Sequence, residues 1–533
     1  MESGRRANAT LVATVAAAGI VQLPTAAIVV ALPTIHHQFD TSITELQWAV
    51  TAFYIPFAAF LIAAGRLADV FGRRRLLLVG AAIFALGSAL AFAAPNAQLL
   101  IAGIAISGIG GAVLMPASMS LITSVFSGER RGLAIGMWGA ATELVSGIGV
   151  VIGGVLTGEL SWRWIFGVDI AFALLIAVLA WRWTPESRDP SASRRIDAGG
   201  ALLSVSALTA LTLALIQGPT WGWGSAAIIS LLVSSVALFA ALVVAERHAA
   251  QPVFDLSFFR HRNFSGATSS VFVIDFSFGA LLFFLPLYLQ EIAGYSPLQT
   301  GALLLPLTGL MVVASPLGGK AAARTGPRPP IVVGLVLMAI AIFWIAANLG
   351  VATSYSELWL PTAILGFGIG LALTPMNLAA MNAVSKDHAG SAAGFLVTLS
   401  GLGATLGVAV TGAIFNELQT ERTVQKLGQA GVQSSRHQAQ ELASKVLGSS
   451  EAESSLGILH SEHAHAVEEA VRSAFVSALG TSLSISGFLV LIGVGLALVL
   501  LRRSEPADAA ASDHPVGAAT PRPAPLGAEA AAS

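Results

Sequence analysis

Two carboxylates, Glu143 and Asp275, interrupt long apolar stretches of the 533-residue sequence. An ionised carboxylate at the centre of a bilayer costs about 2.5–3.5 kcal/mol or more, so such residues usually face a cavity. Because desolvation favours the neutral acid, each is expected to exchange protons or to balance the charge of a cationic ligand. The alternative is helix packing, with Ser146 or Ser277 as hydrogen-bond partners. We favour the functional interpretation for Asp275 and leave both open for Glu143.

A second group of charges lies in the segment GRLADVFGRRR, residues 65–75, between two apolar stretches. Its glycines permit tight turns and close helix approach. Its aspartate can pair with the neighbouring arginines, and such a cluster can stabilise two states of a moving protein to different extents. The conformational latch predicted here comprises Gly65, Arg66, Asp69, Gly72 and Arg73.

The composition indicates an all-α polytopic membrane protein. The chain is 55% hydrophobic and 11% charged, with a mean hydropathy of +0.77, whereas soluble domains carry about a quarter charged residues. A net charge of −1 gives no electrostatic reason to expect nucleic acid binding, and the lack of cysteine excludes disulfides and thiolate chemistry. No nucleophile–base pair, metal-ligand spacing or phosphate loop is found, so we expect neither an enzyme nor ATP drive. The amino terminus indicates a retained helix rather than a signal peptide.

Apolar segments long enough to cross a bilayer number fourteen. They fall at about residues 10–33, 46–65, 76–94, 98–126, 132–158, 163–183, 198–217, 225–246, 264–290, 298–319, 331–349, 358–384, 389–416 and 473–501. With the amino terminus inside, 22 of the 28 lysines and arginines lie in cytoplasmic segments. The positive-inside rule therefore predicts that both termini are cytoplasmic.

A weak internal repeat divides the chain. Gly65-Arg66 and Gly72 recur as Gly319-Lys320 and Gly326, each after the second helix of a bundle. This repeat predicts two six-helix bundles related by an axis along the membrane normal, with two extra helices between them. The predicted regions are a cytoplasmic amino terminus (1–9), the first bundle (10–184), a linker with two inserted helices (185–262), the second bundle (263–501) with an extracellular helical loop (417–472), and a disordered cytoplasmic tail (502–533).

The segment GRLADVFGRRR (65–75), which forms a hairpin loop between two spans, and several other stretches resemble the fourteen-helix drug:proton antiporters of the major facilitator superfamily. The stretches are VALPTI (30–35), LQWAVTAF (46–53), GIGGAVLMPASMSLI (108–122), SWRWIF (161–166), LPLYLQ (285–290) and residues 394–415. The resemblance implies two rocking six-helix bundles around a central cavity. It does not indicate the cargo, because one such scaffold carries many compounds.

The sequence departs from that family where protons are usually handled. The family typically has an aspartate and an asparagine in span 1, an arginine and a glutamine in span 4, glycine-proline in span 5, and arginine-glutamine in span 13. Here those positions are occupied by Pro24 and Val29, Ile104 and Ser107, Gly149 and Val150, and Ser400 and Gly401. Proton coupling is therefore expected to rest mainly on Asp275.

Polar, aromatic and methionine side chains of the predicted central helices are candidates for lining an adaptable cavity. The candidates are Gln22, Trp48, Tyr54, Met115, Met119, Phe276, Met376 and Asn377. The alternative for each is ordinary helix packing, with interhelical hydrogen bonds for the amides. The histidines at 460, 463 and 465 are interpreted as a solvated surface rather than a metal site.

The sequence thus predicts a secondary transporter that exports amphipathic or cationic drugs or metabolites. We expect a monomer in the inner (plasma) membrane that is driven by the proton gradient and requires no cofactor. Its expected partners are small amphipathic molecules and the lipid bilayer. An uncoupled facilitator or lipid transporter of the same fold is the alternative, because the usual charges of spans 1 and 4 are missing. A membrane sensor that does not transport is a more distant alternative.

Overall fold

The computed structural model describes residues 2–126, 128–188, 198–248, 256–384, 389–429 and 461–501, with a few positions between 432 and 439. Its α-helices are α1 (Glu2–Phe39), α2 (Ile43–Phe71), α3 (Arg73–Phe92), α4 (Ala97–Val125), α5 (Gly128–Glu159), α6 (Arg163–Trp183), α7 (Ala198–Trp221), α8 (Ala226–His248), α9 (Arg262–Leu287), α10 (Pro297–Leu303), α11 (Leu305–Thr325), α12 (Arg328–Asn348), α13 (Tyr355–Asn382), α14 (Ala389–Gln429) and α15 (Ser461–Leu500). A short 3-10 helix (Leu256–Arg260) precedes α9, and a π-helical turn (Tyr288–Ile292) follows it.

Thirteen of the described helical segments, one of them formed by α10 and α11 together, are long and apolar enough to cross a membrane. The 29-residue α2 lies between two of them and is the fourteenth long helical segment. The predicted all-helical membrane fold is therefore confirmed. The terms inner and outer below follow the orientation that the charge distribution predicts.

The helices pack as two bundles with an inserted pair. In the first bundle α3 packs on α4 and α6, and α1 packs on α4, α5 and α6. In the second, α9 packs on α13, α14 and α15, while α13 also packs on α11 and α12. The inserted helices α7 and α8 pack on each other, and α7 contacts α2 and α14 at one side of the molecule. The bundles meet through contacts of α1 with α9, α2 with α14, and α5 with α10 and α11.

Helix starts follow ordinary capping chemistry. Ser42 caps α2 by accepting from Glu45 N, and the Glu45 side chain accepts in return from Ser42 N. Asn96 caps α4 by accepting from Leu99 N at 2.9 Å. These bonds satisfy backbone donors that the first turn of a helix leaves unpaired. At α2 and α4 a polar residue before the apolar segment therefore caps the start of the helix, whereas α3, α6 and α9 have no side-chain cap.

Two helices extend beyond the predicted spans. Helix α14 continues to Gln429, although its apolar span was predicted to end at 416, and α15 begins at Ser461 rather than 473. The predicted outer loop is therefore partly an extension of these two helices. Most residues from 430 to 460, the whole segment 502–533, and the side chains of the three histidines lie outside the described part.

Candidate functional site

Asp275 lies near the middle of α9, where the helix faces α14. Its side chain is half-buried and lies beside the Ser400 hydroxyl. A hydroxyl group can donate a hydrogen bond to the ionised carboxylate and can accept one from the neutral acid. The two side chains can therefore accommodate either protonation state at one place in the bundle.

Glycines of α14 bring this helix close to α9. A Cβ atom added to Gly403 would lie 3.2 Å from Asp275 Cβ, and one added to Gly407 would lie 2.0 Å from the Phe276 carbonyl oxygen. A separation of 2.0 Å is far inside van der Waals contact, so position 407 has no room for a side chain. The glycine run thus sets the spacing at which Asp275 and Ser400 meet.

The first bundle contributes Tyr54 and Thr25 to the same region. The Thr25 hydroxyl donates to Gln22 O at 2.9 Å, and the Thr25 side chain lies beside the Tyr54 hydroxyl. Tyr54 also interacts electrostatically with Asp275, and its ring approaches Gly401. Side chains from α1, α2, α9 and α14 therefore converge where the two bundles meet. We call Asp275, Ser400, Tyr54 and Thr25 the central polar cluster.

A small cavity inside the first bundle, between α1, α2, α4 and α6, is lined by apolar residues apart from Thr25. Pro24 on α1 and Ile104 on α4 line the same small cavity, of about 10 Å³, together with Phe53 and Phe166. These are the two positions at which related antiporters are expected to have an aspartate and an arginine. Because the expected aspartate and the expected arginine are both absent, neither is left buried in this cavity without a partner of opposite charge.

The outer ends of the bundles are joined by polar contacts. His37 Nε2 lies 3.2 Å from Glu291 Oε1, an ion pair when the histidine is protonated. The Gln290 amide donates to Val30 O at 2.9 Å, and Arg472 donates to Ile292 O at 3.0 Å. The π-helical turn after α9 carries these partners. It therefore connects α9 to the end of α1 and to α15.

Helix α5 fits tightly between the bundles. A Cβ on Gly153 would lie 2.4 Å from Ala27 O, and one on Gly154 would lie 2.7 Å from Pro297 O. Gly153 therefore faces α1 in its own bundle, whereas Gly154 faces α10 in the other. This close approach closes the outer half of the interface.

The inner hairpin, the turn between α2 and α3, is held by a residue that the sequence analysis does not single out. The carboxylate of Glu186, just after α6, accepts from Arg74 N at 3.2 Å and lies 3.7 Å from Arg75 Nε. Gly72 has a φ of 115°, and a Cβ there would lie 2.6 Å from Glu186 Oε1. A side chain at position 72 is therefore disfavoured by its backbone and by its neighbour.

The other predicted site residues lie in varied surroundings. The side chains of Glu143, Arg66 and Asp69 are outside the described part of the structure, so their roles stay predictions. Met115, Phe276 and Met376 are buried among neighbouring helices, while Gln22, Trp48 and Met119 are half-buried and Asn377 is exposed near the inner end of α13. Of the predicted cavity residues, Tyr54 is the one placed beside Asp275 by a described contact.

Two further buried carboxylates were missed by the sequence reasoning. Asp169 on α6 is fully buried, and neither of its oxygens has a hydrogen-bond partner among the described residues. Glu246 is 4% exposed near the inner end of α8. Asp169 lies inside a predicted span, so the rule that singled out Asp275 would have found it. The predicted span 225–246 ends at Glu246, and nothing in the sequence around it indicates burial.

The fold and the central polar cluster define the class: a polytopic helical protein in which two bundles share a buried polar interface, as in secondary membrane transporters. The family model for the Major Facilitator Superfamily matches residues 14–408. The chain belongs to this superfamily.

Curated relatives support the assignment over most of the chain. The tetracenomycin C resistance and export protein of Streptomyces glaucescens is 30% identical over 96% of this chain and 94% of its own length. The puromycin resistance protein of Streptomyces alboniger is 35% identical over 79% of this chain and 83% of its own. The multidrug efflux pump LfrA of Mycolicibacterium smegmatis is 33% identical over 72% and 76%.

Solved structures agree in fold. A bacterial homologue of the human lysosomal transporter Spinster, inward-facing and occupied, matches with a TM-score of 0.63 at 17% identity, covering 93% of this chain and 96% of the other. The inward-open xylose transporter XylE of E. coli matches with a TM-score of 0.57 at 15% identity over 93% and 96%. At these identities the likeness concerns the fold alone.

Proposed function

We propose that this protein exports small amphipathic or cationic compounds by alternating access, in exchange for protons carried at Asp275. The observation that carries the proposal is the central polar cluster, which places one carboxylate at the junction of the two bundles. The names of the relatives, which include tetracenomycin C export and puromycin resistance, supply the cargo class.

The mechanism follows from two states of one carboxylate. Facing outwards, Asp275 takes up a proton, and the neutral acid no longer balances a cation, so cargo is released. Facing inwards, it loses the proton and regains affinity for cargo. The Ser400 hydroxyl serves both states because it donates to the carboxylate and accepts from the acid. The outer contacts, including His37 with Glu291, break when the outer end opens, and the hairpin held by Glu186 moves with the first bundle.

The proposal includes a setting for the protein. It acts as a monomer in the inner membrane with both termini cytoplasmic, requires no bound cofactor, and uses the proton gradient as its energy source. The basic residues concentrated in the predicted inner segments support this orientation.

The experiment is transport in proteoliposomes with ethidium and puromycin as probes. Asp275→Asn is expected to abolish gradient-driven accumulation but to retain counterflow, the exchange of labelled for unlabelled cargo without a gradient. Asp40→Asn, at an exposed position between α1 and α2, is the matched control, and Glu143→Gln tests the second predicted carboxylate. Undiminished gradient-driven transport in Asp275→Asn would remove that residue from coupling.

An uncoupled facilitator is the second candidate, and one observation favours it. The wall formed by Pro24 and Ile104 is apolar where related antiporters carry charges. This alternative predicts ethidium transport that a protonophore leaves unchanged.

A further inference from the structure

A cavity outside the central polar cluster lies between the inserted helices and the bundles. Its volume is about 160 Å³, and its walls come from α2, α7, α8 and α14. Leu208 and Phe239 form its apolar floor on the inserted pair, and Phe395 and Leu402 face them from α14. An engineered apolar cavity of about 150 Å³ accommodates benzene. The space therefore suits one aromatic ring or a short alkyl chain.

Two polar groups line this otherwise apolar space. Glu246, near the inner end of α8, is 4% exposed and is the one charged residue of the described lining. Thr398 on α14 is also 4% exposed, and its hydroxyl forms no hydrogen bond with any described residue. Thr405, two turns further along, shows the usual alternative, because its hydroxyl donates to Gly401 O at 2.8 Å. A buried hydroxyl left unbonded costs free energy that a ligand can recover.

The position of the cavity indicates where its occupant enters. Glu246 lies two residues from the end of α8, and Ser204 and Phe395 lie near the starts of α7 and α14. All three ends lie on the side that the charge distribution assigns to the cytoplasm. The cavity therefore lies at the depth of the inner leaflet, at the side of the molecule. Amphipathic cations concentrate at this depth, with the charge near the headgroups and the apolar part below.

We propose that this lateral cavity binds the ammonium group of a small aryl- or alkylammonium compound at Glu246 and Thr398, with its apolar part between Leu208, Phe239 and Phe395. The carboxylate accepts from the ammonium group, and the threonine hydroxyl accepts a second N–H. The site is distinct from Asp275. It rests on the proposed function only in the choice of an amphipathic cation as the ligand class.

The test measures equilibrium binding of phenethylammonium to the full chain in phosphatidylcholine nanodiscs, by ligand-observed NMR with empty nanodiscs subtracted. Phenethyl alcohol, the neutral analogue, is the competitor. Glu246→Gln is expected to weaken binding at least about tenfold, because a buried charge pair is lost. Thr398→Val is expected to weaken it about threefold through one hydrogen bond. Glu159→Gln, at the exposed outer end of α5, is the matched control and should bind normally.

The binding measured in two further variants tests whether the lateral cavity is a separate site. Normal phenethylammonium binding in Asp275→Asn supports a separate site, whereas loss of binding in Asp275→Asn together with normal binding in Glu246→Gln overturns the proposal. Equal competition by phenethyl alcohol, or no saturable binding to the wild-type chain, also overturns it.

If Glu246→Gln fails to fold, Ser204→Leu fills the cavity and keeps the carboxylate, and binding retained in that variant contradicts the proposal. No gradient is applied, so failure here leaves the transport proposal unaffected, and failed transport leaves this site unaffected.

Discussion

In the first bundle, Pro24 and Ile104 line a mostly apolar cavity of about 10 Å³, whereas in the second bundle Asp275 lies beside the Ser400 hydroxyl where the two bundles meet. We call these two regions the first wall and the second wall; Thr25 links them, because it lines the first cavity and lies beside Tyr54 of the central polar cluster. The chemistry is therefore asymmetric, although the two bundles share one architecture.

This asymmetry has a simple physical basis. A charge buried in the membrane is tolerated when a partner compensates it, and loss of one partner is costly. On the first wall both members of the expected pair are absent, and the helices close over the space. On the second wall a carboxylate is present beside a neutral hydroxyl, which leaves it able to change protonation state. Function is therefore expected to be more sensitive to polar changes in the second wall, and folding to charges introduced in the first.

The largest effect is expected from Ile104→Arg, which introduces an unpaired charge into the apolar wall. The cost is about 2.5–3.5 kcal/mol or more, so the yield of folded protein and the midpoint of thermal unfolding should both fall. Adding Pro24→Asp should restore part of the loss, because both positions line one cavity. Ile104→Met separates size from charge and should be nearly neutral. A double variant no more stable than Ile104→Arg alone would contradict the shared wall.

The second-largest effect is expected at Gly407, which sets the spacing between α9 and α14 in the second wall. Gly407→Ala places a Cβ 2.0 Å from the Phe276 carbonyl oxygen and is expected to cost about 1–3 kcal/mol through overpacking. Gly495→Ala is the matched control, because a Cβ at that position on α15 meets nothing within 4 Å. Thermal unfolding of the purified protein distinguishes them. Equal stability of the two variants would show that the close approach of α9 and α14 is not required.

Much of the fold could be predicted from the sequence, because its signals are local. Runs of about 20 apolar residues predict membrane helices whatever their partners, and Asp275 stands out as a carboxylate inside such a run. The same rule applied to Asp169 would have found it. The sequence predicts helix after residue 416 but not that it continues α14 without a break to Gln429, since these last turns are polar and carry no membrane signal.

The contacts of the site could not be predicted, because they depend on how distant helices pack. The sequence marks Ser400 only as a departure from a family pattern, whereas its place beside Asp275 requires the close packing of α14 on α9. Glu186 lies in a polar segment after α6, where a carboxylate is usually solvated, and only the folded hairpin brings it to Arg75. The pairing of His37 with Glu291 likewise joins two helix ends that are far apart in the chain.

The third prediction tests the partner of the carboxylate. Ser400→Ala removes the hydroxyl that lies beside Asp275. Because a hydrogen bond to a charged partner is worth about 1.5–3 kcal/mol, gradient-driven ethidium transport is expected to fall about tenfold or more. Ser400→Thr keeps a hydroxyl and should restore most of the activity. Ser107→Ala, at a buried serine of the first bundle, is the control and should transport normally. Equal losses in the two alanine variants would remove the proposed difference between the walls.

The smallest effect is expected at the inner hairpins, where the bundles differ again. Glu186 binds the first hairpin, the turn between α2 and α3, through Arg74 and Arg75. At the second hairpin, the turn between α11 and α12, Arg328 has no ion pair with a described residue. Partly exposed pairs contribute about 0.2–1 kcal/mol, so Glu186→Gln should lower the midpoint of thermal unfolding slightly, and less at high salt because the charges are screened.

Arg328→Gln provides the comparison in the second bundle and should leave the midpoint unchanged at any salt concentration. If Arg328→Gln destabilises the protein as much as Glu186→Gln does, the two hairpins are equivalent in energy. The asymmetry would then be confined to the central walls. If only Glu186→Gln responds to salt, the charges are divided unequally: the first bundle has its stabilising ion pair at the inner rim, and the second has its carboxylate at the interface. That division would leave Asp275 free to change protonation state while the first bundle moves as a unit held by its hairpin.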